Sequence, residues 1–131
     1  MRHTIEVKIY YEDTDAGGVV YYANYLRYME RARTEYMAGR GAPVDRLMKE
    51  GVYFLIARVE IDYRSPAKYG DTIVVETLVP EITAATVLFS HVMKEKTSGR
   101  LIAEASARAV CVDPSHKPRR IPAEVAKSLI A

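Results

Sequence analysis

Apolar and polar positions alternate at the start of the chain. Ile5, Val7, Ile9 and Tyr11 fall on one face, and Glu6, Lys8 and Tyr10 on the other. A period of two predicts a half-buried strand, because successive strand side chains point to opposite sides. The run Glu12-Asp13-Thr14-Asp15-Ala16-Gly17-Gly18 ends it with turn-forming residues. Beyond the turn the period changes. Tyr22, Tyr25, Leu26, Met29, Ala32, Arg33 and Tyr36 recur at helical spacing, with Arg27, Glu30, Arg31 and Glu35 mainly between them. That spacing predicts a helix from about Val20 to Ala38, stopped by Gly39 and Gly41. Pro43 to Glu50 adds a short second helix, opened by its proline and closed by Gly51.

From Val52 onward the pattern is again that of strands. Val59, Ile61 and Tyr63 alternate with Arg58, Glu60, Asp62 and Arg64 until Pro66. Ile73 to Val79 is rich in β-branched residues, Thr86 to Lys94 is a third run, and Leu101 to Val112 follows a Ser98-Gly99 hairpin signal. Pro122 to Ile130 forms a short terminal helix.

In the last strand Ala103, Ala105, Ala107 and Ala109 share one face. A row of methyl groups lets a helix approach more closely than a Leu or Val face would. The tyrosine-rich helix is the one long enough to use it. The predicted fold class is therefore α+β, one long helix laid on a mostly antiparallel five-stranded sheet. The opposite sheet face carries charges and should be wet or only partly covered. No repeat or linker-like tract interrupts the chain, so residues 1–131 are expected to form a single domain.

Composition narrows the function. The chain has 131 residues, 49% apolar and 27% charged, which suits a folded domain able to bury about two thirds of its surface. A net charge of +2 is far from the basic excess of a nucleic-acid binder. The opening MRHTIEVK lacks the apolar core of a signal peptide, and no stretch approaches the ~18 apolar residues of a membrane span, so a cytoplasmic, non-spanning protein is expected. The single cysteine, Cys111, excludes an internal disulfide. His3, His91 and His116 are widely spaced and form no metal motif, so neither a metal site nor a cofactor is expected.

The stretch from Tyr10 to Leu26 stands apart, holding five of the ten tyrosines and two aspartates just before a helix start. Free N–H groups and the macrodipole at such an end can hold a carbonyl oxygen that becomes negative during acyl transfer. A nearby carboxylate can deprotonate water or attack the carbonyl itself. The same aspartates could instead serve as caps or turn residues, and the tyrosines as core or interface residues. A calcium loop counted from Asp13 fails, because the fifth position is Gly17 and the twelfth is Asn24. No phosphate-loop pattern is present.

The segment YYEDTDAGGVVYYANYLRYMERAR closely resembles the signature of hotdog-fold acyl-CoA thioesterases of the 4-hydroxybenzoyl-CoA thioesterase class. The nearest branch is the one often encoded beside the bacterial Tol–Pal genes. Asp62-Tyr63-Arg64-Ser65-Pro66-Ala67 and Gly70-Asp71 extend the resemblance over nearly the whole chain. It implies a five-stranded antiparallel sheet wrapped around one long helix, and an acyl-CoA substrate. Asp15 matches the family's catalytic carboxylate, acting as general base or nucleophile. Tyr22 matches the position whose backbone N–H polarises the thioester carbonyl, and Gly18 and Val19 fall in the same substrate-facing turn. Many members of the Tol–Pal-associated branch carry histidine where Tyr22 stands, so a mechanism needing a histidine acid or base there is excluded. The resemblance also implies homodimers joined edge to edge, often paired into tetramers, with sites at subunit interfaces.

Three further assignments remain two-sided. Glu30 could approach the aryl end of the substrate, as resemblance to the hydroxybenzoyl branch implies, or pair with Arg27 or Arg33. Lys117, Arg119 and Arg120 could meet coenzyme phosphates or form a solvated segment. Arg58 and Arg64 are most simply paired with Glu60 and Asp62. Two rival functions are a hotdog hydratase, disfavoured by the lack of histidine near the helix start, and a non-catalytic module binding acyl-CoA or acyl carrier protein.

Overall fold

The structure is a computed structural model that describes residues 2–130. Strands β1 (His3–Lys8), β2 (Tyr53–Tyr63), β3 (Thr72–Ile82), β4 (Thr86–Glu95) and β5 (Leu101–Val112) form one sheet. Its order is β1-β3-β4-β5-β2, and every neighbouring pair is antiparallel. Helix α1 (Asn24–Gly39) lies against one face, α2 (Val44–Lys49) leads into β2, and α3 (Ala123–Ile130) closes the far end. This is the α+β architecture expected from the pattern, with α1 as its central helix.

The alanine row explains how α1 is seated. On β4, Val87, Phe89, His91 and Met93 stand beside Ala109, Ala107, Ala105 and Ala103. On the other side of β5, Val59 and Ile61 stand beside Ala107 and Ala105. Small residues between two bulkier columns make a trough. Tyr25, Tyr28, Met29 and Ala32 of α1 are buried with Ala103 and Ala107, and Tyr36 and Met37 with Ala109 and Cys111.

The helix differs from expectation at its start. It begins at Asn24, not Val20, and Tyr22 lies ahead of it in a turn. Val20, placed at the helix start by its spacing, instead pairs with Thr14 in a short β-bridge, as Val19 does with Lys68. Leu26, assigned to the buried face, is 44% exposed, and Tyr28 is buried in its place. The first strand likewise stops at Lys8, leaving Ile9 buried but Tyr11 exposed.

Charges do lie on the outer sheet face, where Arg58 pairs with Glu60 at 2.7 Å and Arg64 with Glu104 at 3.2 Å and Asp62 at 3.9 Å. Strand β2 occupies an edge of the sheet. A bulge between Ile56 and Arg58 shifts its register, so Ile56 and Val59 both turn toward the helix side. Ile56, Val59 and Tyr63 remain exposed along that edge.

Candidate active site

The loop between β1 and α1 is a closed hairpin. Asp15 N–H donates to the Val19 carbonyl at 2.9 Å, Thr14 bridges Val20, and Tyr21 N–H donates to the Asp13 carbonyl at 2.9 Å. Val20 N–H reaches the Ala67 carbonyl at 2.8 Å, which ties the hairpin to the segment after β2. Gly18 makes the reversal at φ 80°, a conformation that L side chains rarely adopt.

The two aspartates have different surroundings. Asp13 is engaged on both oxygens: Tyr10 N–H donates to Oδ2 at 2.8 Å and the Tyr28 hydroxyl donates to Oδ1 at 2.9 Å. Its carbonyl also accepts the Asn24 side-chain amide at 2.9 Å. Burial and then this hydrogen bond push the Tyr28 phenol well above its ordinary pKa, so it remains a donor. Asp13 is thus a structural tie between the loop and α1. Asp15 is exposed, and only its Oδ1 is engaged, by Gly17 N–H at 2.8 Å. A Cβ on Gly17 would stand 3.2 Å from that oxygen, so glycine here keeps the carboxylate uncrowded. The other oxygen takes no hydrogen bond among the described residues and is available to water or substrate.

Tyr22 follows the hairpin. Among the described residues its N–H donates to nothing, as do the free N–H groups at a helix start. Its carbonyl accepts the Tyr63 hydroxyl at 3.1 Å, and its ring lies edge-on to Tyr63 at 6.3 Å. Tyr63 also packs on Tyr25 at 5.5 Å. The hairpin therefore holds, in one short segment, an exposed carboxylate and an unpartnered N–H donor ahead of α1.

Tyr63, Tyr28 and Asn24 carry no signal in the sequence as site residues, because their partners lie far along the chain or on a different element.

The other candidates lie elsewhere. Glu30 is exposed on α1 and forms no ion pair with Arg27 or Arg33 among the described residues. It borders a cavity of about 150 Å³ between α1, α2 and β2. Lys117, Arg119 and Arg120 follow β5, where Arg119 Nη1 meets the Gly51 carbonyl at 3.4 Å and Nε meets the Arg120 carbonyl at 3.2 Å. They sit at the Tyr53–Val112 end of the β2–β5 pair, whereas the hairpin sits at the Tyr63–Ala103 end. That separation is roughly 30 Å of strand. Within one chain the basic cluster does not meet Asp15. Cys111 is buried among apolar residues, and burial pushes its thiol pKa up. Among the described residues no group of His, Cys, Asp or Glu is arranged to hold a metal ion, and no helix is long and apolar enough to cross a membrane.

A five-stranded antiparallel sheet packed against one central helix is the hotdog fold. Comparison with known proteins agrees: residues 10–129 match the model of the thioesterase-like superfamily, and the chain belongs to that family. It is 42% identical over 121 residues to the acyl-CoA thioesterase YbgC of Haemophilus influenzae, covering 91% of this chain and 88% of the relative. It is 39% identical over 128 residues to the acyl-CoA thioester hydrolase YbgC of Escherichia coli O157:H7, covering 95% and 90%. The fold matches the structure of 4-hydroxybenzoyl CoA thioesterase from a Pseudomonas species with a TM-score of 0.89, at 24% identity, over 97% of this chain and 98% of that one.

Proposed function

We propose that the protein hydrolyses acyl-CoA thioesters to a free acid and coenzyme A. The observation that carries this reading is the hairpin, in which Asp15 has a free carboxylate oxygen and Tyr22 a free backbone N–H. The Tyr22 N–H, with the positive end of α1 behind it, would hold the thioester oxygen as it gains charge. Asp15 either takes a proton from the attacking water or attacks the carbonyl to form an anhydride that water then opens. In both routes one water is consumed and the thiolate leaves with a proton. Tyr22 needs no side-chain chemistry for this, since its donor is the main chain. Gly18 and Val19 would border the thioester from the hairpin.

The working unit would be a homodimer, with a second copy laying its β2 beside the exposed β2 edge and covering Ile56, Val59 and Tyr63. Dimers could pair further into tetramers. Lys117, Arg119 and Arg120 would then contribute to the hairpin's site only from another copy.

A thiol-release assay across short, long and aryl acyl-CoAs tests the reading. Turnover by the wild type that Asp15→Asn abolishes without loss of folding is the expected result. Tight acyl-CoA binding with no release from any substrate would leave a binding module, and release only from acyl carrier protein would change the thiol partner.

A further inference from the structure

The proposed hydrolysis depends on where the Tyr22 N–H points and how far it stands from Asp15. The peptide joining Tyr21 to Tyr22 is trans, so its C=O and N–H point in opposite directions. The Tyr21 carbonyl accepts the Asn24 N–H at 2.8 Å. That bond turns the carbonyl toward α1 and the Tyr22 N–H outward, away from the body of the helix.

Asn24 acts on the same turn a second time, through its side chain. Its Nδ2 donates to the Asp13 carbonyl at 2.9 Å, and Tyr21 N–H donates to that same oxygen at 2.9 Å. A carbonyl oxygen only accepts, so the nitrogen of the Asn24 amide must be the atom that faces it. Three bonds therefore close a ring through Asp13, Tyr21 and Asn24. Asp13 lies two residues before Asp15, and Tyr21 directly precedes Tyr22. The ring thus ties the arm of the hairpin that carries the carboxylate to the arm that carries the donor. Tyr10 N–H and the Tyr28 hydroxyl hold the Asp13 side chain, which keeps the shared acceptor in place.

This is not the ordinary use of asparagine at a helix start. A capping asparagine accepts N–H bonds from inside the helix. The N-cap of α1 is Ala23, which makes no side-chain cap. Asn24 is half-buried and donates backward instead, to a residue 11 positions earlier in the hairpin.

We propose that Asn24 is a positioning residue for the reaction, one that aims the Tyr22 N–H at the thioester oxygen and sets its distance from Asp15. The assignment rests on the hydrolase reading above and extends it to a residue that touches no substrate. Rates between held groups are sensitive to displacements of about 1 Å, so a slack ring lowers kcat while substrate binding persists.

The test compares the wild type with Asn24→Ala, Asn24→Asp, Asn24→Gln and Tyr36→Phe. Steady-state thiol release is corrected for the folded fraction. The Tyr22 amide is followed by NMR of protein labelled on tyrosine nitrogen, without substrate. Tyr36→Phe is the control, since it removes one buried hydrogen bond, to the Leu129 carbonyl at 2.7 Å, near the far end of α1. Asn24→Ala should lower kcat about tenfold, the worth of one well-placed hydrogen bond, with KM within about threefold. Asn24→Asp, nearly equal in size but unable to donate, should lose as much or more. Asn24→Gln keeps a donor on a longer stem and should retain more activity than either. In Asn24→Ala the Tyr22 amide should shift, and its order parameter should fall from about 0.85 toward about 0.6. Tyr36→Phe should lose stability and keep kcat. Unchanged kcat in Asn24→Ala, or an unmoved Tyr22 amide, overturns the proposal. An equal loss of kcat in Tyr36→Phe also overturns it, since the effect of Asn24 would then be that of any lost tie on α1. Should Asn24→Ala not fold, Asn24→Asp and Asn24→Gln decide, and equal kcat in the two overturns the proposal. Absence of thiol release by the wild type would sink the hydrolase reading alone, because the amide measurement needs no substrate and still shows whether Asn24 holds that peptide.

Discussion

The hydroxyl of Tyr63 donates to the carbonyl oxygen of Tyr22 at 3.1 Å. Tyr63 ends the edge strand β2, so this bond pins the peptide just ahead of α1 to the sheet. Burial and the neighbouring Tyr22 push the Tyr63 phenol pKa up, which keeps it a donor. Tyr63→Phe removes the pin but keeps the ring on Tyr25. One such bond is worth about 1 kcal/mol, so kcat on a good acyl-CoA should fall about five- to tenfold with KM little changed. Steady-state kinetics beside a thermal melt check this; unchanged kcat would mean that the bond does not position the Tyr22 donor.

The two aspartates should separate cleanly. Asp15→Asn should lower kcat by about a hundredfold or more with unchanged stability, because it loses a base or nucleophile and no structural tie. Asp13→Asn should instead cost about 1–3 kcal/mol of stability, since one of the donors from Tyr10 or Tyr28 loses its charged acceptor. Urea unfolding and thiol release on both variants read the two effects. The reverse pattern would exchange the roles.

His91 makes the fold acid-sensitive. Burial first, and then the positive charge of Arg33, lower its pKa from 6.5 to about 3. Between those values the unfolded chain binds a proton that the folded chain refuses. Stability is therefore full above about pH 6.5 and falls as pH drops toward 3, by up to about 1.4 kcal/mol per unit from this group. Urea midpoints at pH 7, 6, 5 and 4 should decline, and His91→Gln should flatten the decline. An identical slope in the variant would place the sensitivity elsewhere.

Along the β2 edge, Val59→Asp should split the proposed dimer by putting a charge into the apolar strip. Sedimentation velocity should show monomers at concentrations where the wild type is dimeric. Activity should fall in parallel and return at high protein concentration if sites are shared between copies. Full activity in a monomer would confine the site to one chain.

Periodicity alone determined the order of elements, the alternating strands and the alanine row that seats α1, because each depends on residues close in sequence. The acidic turn and Asp15 were also visible there, through composition and family resemblance. What only the tertiary structure decided depends on distant partners. Val20 leaves the helix because Thr14 and Ala67 pair with it. Asp13 and Asp15 differ because Tyr28 and Asn24 reach back to one and not the other. The basic residues near Arg119 are set at the opposite end of β2 from the hairpin by strand register. Arg33 reads as one more buried-face position in a helical repeat, and only β4 brings Phe89 and His91 against its guanidinium. Local spacing specifies which face a residue takes, whereas the neighbours it meets there are fixed by which strands pair.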